Sequence, residues 1–209
     1  MSAGDRTALA EQAATFGFDA LLEPIEFARQ AHLLSRQLPP VITTAAHDFD
    51  VAGGGLLLIS GAALGPLPNT PDNPLTLITH KTLIARQAAI VAAGIGHLVG
   101  FRCESAGRLC QTIVPVCTHR KLQLSAGSVS LESHTEQCFN LTARPDFIAL
   151  ACLRGDPAAA TYALSARQIE SELSVKSVEL LRERQFYTRV DPSFVAGAST
   201  TSFVDRWLS

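Results

Sequence analysis

The stretch that decides the interpretation of this chain is His134-Thr135-Glu136-Gln137-Cys138-Phe139. In a β-strand successive side chains point to opposite faces, so His134 and Glu136 would share one face. An imidazole and a carboxylate side by side suit two of the three ligands of a 2-His-1-carboxylate site for non-haem Fe(II). The alternative is a strand with a solvated polar face, because a His-x-Glu tripeptide also occurs by chance. The apolar neighbours Leu131 and Leu141 favour the metal site.

The third ligand, a second histidine, should follow later in the chain. The histidines are His32, His47, His80, His97, His119 and His134, so none follows the tripeptide. The sequence therefore predicts an iron site of which these residues supply only a part.

Composition narrows the class of protein. At 209 residues the chain can bury one sizeable core, so we expect a single domain over residues 1–209. With 17 Lys and Arg against 19 Asp and Glu there is no basic stripe, which argues against nucleic-acid binding. The longest apolar stretch, residues 51–66, is broken by glycines and too short to span a bilayer. The first residues lack the apolar core of a signal peptide, so we predict a cytoplasmic protein without a membrane partner.

The cysteines give little support to a metal or disulfide framework. They are Cys103, Cys110, Cys117, Cys138 and Cys152. An odd number in a cytosolic chain argues against structural disulfides, and no CxxC pair is present to begin a zinc site. We expect buried, inert thiols. A zinc site built from Cys117, His119 and His134 is the weaker alternative.

Helical periodicity dominates the first part of the chain. Amphipathic helices are predicted at residues 5–16, 23–36 and 82–93. Pro39-Pro40 is expected to end the second of these. Residues 49–55 are expected to form a turn that leads into a short buried strand at 56–59.

After residue 98 the pattern changes to short strand-like runs separated by Gly, Ser, Pro or Asn. These runs cover residues 98–102, 109–114, 122–124, 129–136 and 147–153. A helix is predicted to begin at Ser165, with Gln168 at the capping-box spacing, and helical character continues over 177–183 before a strand at 186–190. The order of elements predicts an α+β protein, with strands that build part of a sandwich or barrel and helices packed outside.

A wider window carries a family resemblance. The hexapeptide at 134–139, together with Arg144-Pro145-Asp146-Phe147 and its continuation to Asp156, resembles the clavaminate synthase-like branch of the Fe(II)/2-oxoglutarate oxygenases, in the TauD-type superfamily. Gly107-Arg108-Leu109-Cys110-Gln111 and Leu67-Pro68-Asn69-Thr70-Pro71 also resemble that branch. The likeness extends from about residue 38 to about residue 194.

The resemblance implies a double-stranded β-helix, or jelly roll, present here in part, with flanking N-terminal helices and a helical insertion. It implies Fe(II) and 2-oxoglutarate, with His134 and Glu136 as the first two iron ligands. Thr161 would donate a hydrogen bond to the 2-oxoglutarate carboxylate, unless it is an ordinary loop threonine. Ser125 and Gln111 would lie near the substrate, unless Ser125 is a solvated loop residue and Gln111 caps a strand edge.

The implied activity is hydroxylation of an amino acid or an amino-acid derivative in specialised metabolism. Asn140 departs from the family pattern, since many members carry histidine there. The family's distal histidine and the arginine that pairs with 2-oxoglutarate lie in a C-terminal stretch that this sequence lacks, so we expect the N-terminal portion of the fold. The likeness of residues 205–208 to a C-terminal fragment of the family is interpreted as coincidence.

Two hypotheses follow. The chain is an oxygenase whose remaining site residues come from elsewhere, such as a partner chain that completes the sheet. Alternatively, it is a catalytically incompetent remnant that binds a ligand or a partner through an exposed sheet edge. Self-association through that edge is compatible with either hypothesis.

Overall fold

The computed structural model describes residues 1–52, 55–73, 82–103, 107–121, 127, 129–131, 133–136, 144–156, 158–188 and 206–208. Four longer helices come first: α1 (Ala3–Ala14), α2 (Pro24–Ser35), α3 (Pro40–Ala52) and α4 (Leu83–Ile95). They are followed by a 3-10 turn (Cys117–His119), α5 (Ala166–Glu172), α6 (Val175–Arg182), β1 (Phe186–Thr188) and β2 (Arg206–Leu208). None of the helices in these ranges has the length and apolar character needed to cross a membrane.

Local signals begin three of the long helices. Ser2 and Asp5 form a capping box on α1: the Ser2 Oγ accepts the Asp5 N–H at 3.2 Å, and the Asp5 carboxylate accepts the Ser2 N–H at 2.9 Å. The Ser2 hydroxyl, which donates to the Asp5 carboxylate at 2.7 Å, and the Ser2 N–H hold the pKa of the Asp5 carboxyl below its ordinary value. Pro24 occupies the first turn of α2, and Thr82 caps α4 by accepting the Ala85 N–H. The helices predicted at 5–16, 23–36 and 82–93 are therefore confirmed.

Helix α4 lies at the centre of the helical layer and packs against α1, α2 and α3. The core cluster consists of Leu9, Ala13, Phe16, Ala20, Phe27, Ala31, Leu38, Ile42, Ala89, Ile90 and Ala93. Alanines on α1, α2 and α4 let the helix backbones approach closely. The ring of Phe27, on α2, packs against the ring of Phe16, just beyond the end of α1, with their centroids 4.5 Å apart.

Helix α3 corrects the predicted turn at 49–55. Pro40 begins α3 rather than only ending the helix before it, because a proline at the first helical position lacks only an N–H that would have no partner there anyway. Ile42 and Ala46 lie one turn apart on α3 and are both buried. This apolar face keeps the chain helical through Phe49, as far as Ala52.

A buried amide on α4 fixes the segment that precedes the proline-rich loop at residues 66–71. The side chain of Gln87 is 1% exposed. Its Nε2 donates to the Ala63 carbonyl at 2.6 Å, and its Oε1 accepts the Ala63 N–H at 3.2 Å. The side chain therefore pairs with the backbone of residue 63 much as a neighbouring strand would.

Replacing Gln87 by leucine should lower the free energy of unfolding by about 1–3 kcal/mol, because both polar groups of Ala63 lose their partner. Urea denaturation followed by circular dichroism measures the change. Gln168→Leu is the matched control, since Gln168 is exposed on α5 and its loss should alter stability by no more than about 0.5 kcal/mol. Equal midpoints for the two variants would contradict a bridging role for Gln87.

The helical insertion and the strand after it follow the prediction. Ser165 is the N-cap of α5, although its side chain makes no capping bond, so the predicted capping box does not form. Arg182 of α6 pairs with Glu170 of α5 at 2.6 Å. Strand β1 pairs antiparallel with β2 in the register Phe186↔Leu208 and Thr188↔Arg206. The segment whose family likeness was interpreted as coincidence thus supplies the partner of β1.

The other predicted strands are not regular strands in the part of the chain that the structure describes, and the run at 122–124 lies outside it. Their burial nevertheless alternates. Residues 112, 114 and 116 are half-buried, whereas 111, 113, 115 and 117 are exposed. The run at 56–59, expected to be buried, is not: Leu57 and Ile59 are half-buried and alternate with the exposed Leu56 and Leu58. A period of two is typical of a strand with one covered face.

Candidate active site

His134 and Glu136 lie together on an exposed segment, residues 133–136, that forms neither helix nor strand. Both side chains are exposed, so an imidazole nitrogen and a carboxylate oxygen are accessible two residues apart. This donor set has the chemistry of two ligands of a non-haem Fe(II) site. Among the described residues, no three His, Cys, Asp or Glu side chains gather into a group that could hold a metal ion. The fit to iron therefore rests on this pair.

The other predicted site residues lie apart from the pair along the chain. Thr161 is exposed in the stretch between Asp156 and α5, and Gln111 is exposed at the start of the alternating segment 111–117. Ser125 and Asn140 lie outside the described residues.

A cavity that the sequence does not predict lies between α1, α4 and the proline-rich loop. Its volume is about 490 Å³, and its lining consists of Ala14, Pro66, Leu67, Pro68, Thr82, Leu83 and Arg86. Arg86 is the single charged residue of α4, and its Nε is buried without a hydrogen-bond partner among the described atoms. A single charge in a helix whose only other polar side chain is that of Gln87 is the sequence signal that could have identified this wall. The predicted site residues that the structure describes do not line it.

The cysteines follow the prediction only in part. Cys103 and Cys110 are half-buried, whereas Cys117 and Cys152 are exposed, contrary to the expectation of buried thiols. Burial raises the pKa of the Cys110 thiol to about 11. Cys110 therefore stays protonated at neutral pH and is a poor metal ligand there. Cys138 lies outside the described residues.

The zinc alternative gains no support from the described residues. Cys117 and His119 share the 3-10 turn, and the Nδ1 of His119 is buried without a hydrogen-bond partner there. No group of three metal ligands forms around them in the ranges given above.

Comparison with known proteins shows that the chain is similar to amino-acid hydroxylases. No family model matches it. It is 37% identical over 185 residues to an L-lysine 3-hydroxylase from Catenulispora acidiphila, covering 87% of this chain and 51% of that protein. It is 35% identical over 130 residues to an L-asparagine oxygenase from Streptomyces coelicolor, covering 61% of this chain and 39% of that protein.

Comparison with solved structures also finds similarity to amino-acid oxygenases. An asparagine oxygenase in complex with Fe(II), 3-hydroxyasparagine and succinate superimposes with a TM-score of 0.82 at 26% identity, over 95% of this chain and 65% of that one. The non-haem iron oxygenase OrfP, bound to Fe and α-ketoglutaric acid, gives a TM-score of 0.60 at 22% identity over 68% of this chain and 47% of that one, which speaks for the fold alone. The chain spans about half the length of the lysine hydroxylase. The predicted resemblance is confirmed: the chain is similar to amino-acid oxygenases in sequence and in structure, which is consistent with the clavaminate synthase-like branch of the Fe(II)/2-oxoglutarate oxygenases.

Proposed function

We propose that this chain forms part of a non-haem Fe(II)- and 2-oxoglutarate-dependent hydroxylase that acts on an amino acid or an amino-acid derivative. The observation that carries the proposal is the 37% identity, over 87% of this chain, with a lysine 3-hydroxylase. The relatives are named as oxygenases or hydroxylases of amino acids. This supports an oxygenase over a remnant that only binds a ligand or a partner.

The chain's own residues have distinct roles in this proposal. His134 and Glu136 hold the metal through the imidazole nitrogen and the carboxylate oxygen. Bound Fe(II), with 2-oxoglutarate and O₂, supplies the oxidising power that hydroxylates a C–H bond. The hydroxyl of Thr161 donates a hydrogen bond to a carboxylate of 2-oxoglutarate, which is a charge-assisted contact. Gln111 and Ser125 contact the amino-acid substrate and orient it.

The proposed function also implies that the fold has a β core of the jelly-roll type. Residues 56–60 and 111–117 alternate between exposed and half-buried positions, which supports strands of a jelly roll with one face against the helical layer. Large apolar side chains occupy the other face at Leu58, Ile113 and Leu150, which are 83%, 61% and 62% exposed. Such a face is typical of a sheet that packs against a second sheet.

The substrate class follows from the relatives and from the chemistry of amino acids. We take the substrate to be a free L-amino acid with a basic or amide side chain, since lysine and asparagine are named for the two relatives reported above. The oxidation is confined to one carbon only if the protein fixes the substrate relative to the metal, which is the usual contribution of a protein to cofactor chemistry.

The test is an anaerobic calorimetric titration of the purified chain, first with Fe(II), then with 2-oxoglutarate, and last with L-lysine, L-asparagine or L-arginine. We expect Fe(II) to bind, 2-oxoglutarate to bind more tightly once Fe(II) is present, and one of the amino acids to bind to the loaded protein. Binding of 2-oxoglutarate that does not depend on Fe(II), or no Fe(II) binding at all, would overturn the proposal.

A further inference from the structure

The cavity between α1, α4 and the proline-rich loop has walls of two kinds. Its volume of about 490 Å³ lies within the range of small-molecule sites. Most of its lining side chains are apolar: Ala14, Pro66, Leu67, Pro68 and Leu83. The others, Thr82 and Arg86, come from the start of α4, and none of these described lining residues is Asp or Glu. Such a surface fits a ligand with an apolar body and one anionic group.

Arg86 carries its positive charge at a position where its own helix does not stabilise it. It is the fourth residue of α4, whose first turn holds no acidic residue. The N-terminal end of a helix has a positive potential, which favours anions and disfavours cations. Arg86 is half-buried, and its Nε has no hydrogen-bond partner among the described residues. The charge is therefore partly removed from water, without a carboxylate among the described residues that line the cavity.

A second guanidinium reaches the proline-rich loop from a distant segment. The Nη2 of Arg154 donates to the carbonyl of Pro68 at 2.5 Å, and its Nη1 donates to the Oγ1 of Thr70 at 3.3 Å. Pro68 also lines the cavity, so this charge lies close to it. Arg154 is exposed and solvent screens its charge, so it contributes less to the potential than the half-buried Arg86. Because the two charges have the same sign, the potential in the cavity favours an anion.

Contacts with α4 hold the loop side of the cavity in place. Gln87 binds both the N–H and the carbonyl of Ala63. Gly65, with a φ of +66°, approaches α4 so closely that a Cβ at this position would lie 3.0 Å from the side chain of Leu83. The chain therefore enters the loop directly against the wall that Leu83 provides. A site whose walls are already held needs little ordering when a ligand binds, which favours affinity.

We propose that this cavity binds a monocarboxylate with an apolar chain, the carboxylate against the Nη donors of Arg86 and the chain against Leu67 and Leu83. A carboxylate accepts two parallel bonds from a guanidinium, and the buried Nε leaves the pair of Nη atoms for this contact. A zwitterionic amino acid fits less well, because the described lining offers its ammonium group no carboxylate. Inorganic phosphate also fits less well, since an apolar lining cannot satisfy its remaining oxygens.

The experiment is a titration of the full chain with hexanoate, without added iron, followed by NMR of ¹³C-labelled leucine methyl groups. We expect the signals of Leu67 and Leu83 to shift and to saturate. Hexanamide has a chain of the same length without the charge, and it should bind about tenfold more weakly because the charge-assisted bonds are lost. Leu22 is the internal reference: it is 77% exposed and does not line the cavity, so its signal should not shift.

Variants separate the charge from the apolar walls. Arg86→Gln should weaken hexanoate binding about tenfold and leave hexanamide binding unchanged. Arg167→Gln is the matched control, since Arg167 is exposed on α5 and does not line the cavity. Leu67→Glu keeps the test decisive if Arg86→Gln folds poorly, because Leu67 is 40% exposed on the loop and a glutamate there places a competing carboxylate at the cavity. Hexanoate should then no longer shift Leu83, with an unchanged circular dichroism spectrum.

Each other outcome overturns the proposal in a recognisable way. Equal affinity for hexanoate and hexanamide, or unchanged hexanoate affinity in Arg86→Gln, would show that the cavity does not select an anion. A parallel shift of Leu22 would mean that hexanoate associates with exposed apolar surface in general. Inorganic phosphate that shifts Leu83 at lower concentration than hexanoate would exclude the carboxylate class. Absence of any saturating shift would remove the site. None of these outcomes depends on the proposed function, because the titration uses no iron.

Discussion

Replacing His134 by alanine should weaken Fe(II) binding at least about 100-fold while leaving the fold intact. The change removes the imidazole of the proposed pair and leaves the Glu136 carboxylate, and loss of a direct ligand should cost more than the 10–100-fold typical of its supporting partners. His134 is exposed, so little packing is lost. The measurement is an anaerobic Fe(II) titration, with circular dichroism to monitor the fold.

A second histidine pair supplies the control for this prediction. The rings of His32 and His97 lie with their centroids 6.3 Å apart, and both residues are exposed. Imidazoles at a surface bind divalent metals without any functional role, so this pair is the natural place for adventitious iron. His97→Ala should leave the specific Fe(II) affinity unchanged. If His97→Ala loses the binding and His134→Ala keeps it, the assignment of His134 is wrong.

The companion variant Glu136→Gln tests the carboxylate separately. It keeps the size and the exposed position of the side chain but replaces a charged oxygen ligand by a neutral amide. Weaker Fe(II) binding in this variant is expected if both residues are ligands. A response of His134→Ala alone would limit the metal contact to the imidazole.

Helices were predictable where the signals for them are local. The capping residues Ser2 and Thr82, and the apolar spacing of α1, α2 and α4, stand within a few residues of the elements they specify. Helix α3 was missed because Pro39-Pro40 was interpreted only as a stop. The same proline can begin a helix, and the burial that then maintains it, at Ile42 and Ala46, depends on α4 more than 30 residues further along the chain.

Long-range contacts explain what the sequence could not predict. Gln87 and Arg154 look like ordinary polar residues until the backbone of residue 63 and the loop at 66–71 come next to them. The strands were predicted from short strand-like runs separated by Gly, Ser, Pro or Asn, and burial at 111–117 alternates as in a strand. The ladders of a jelly roll, however, depend on partners far apart in sequence. For the site, the His134–Glu136 pair and Thr161 come from a motif and a family likeness, and they remain predictions.

Replacing Phe27 by alanine should cost the largest share of stability, about 3–5 kcal/mol. Phe27 is 0% exposed on α2, and its ring packs against Phe16 at a centroid distance of 4.5 Å. Removal of the ring leaves a cavity beside Phe16 in the core cluster, and the alanines of that cluster are too small to fill it. Urea denaturation followed by circular dichroism at a helix wavelength measures the loss.

The neighbouring Ile25 is the matched control, since it is 79% exposed on the same helix. Ile25→Ala should change the free energy of unfolding by no more than about 0.5 kcal/mol. Because α4 packs against α1, α2 and α3 together, the loss in Phe27→Ala should appear as one cooperative transition at lower denaturant rather than as separate melting of α2. Equal midpoints for the two variants would mean that the helical layer is not packed around Phe27. A large loss in Phe27→Ala alone would show that the helical layer stabilises the chain, and that this stability does not depend on the exposed segment that carries the proposed iron ligands.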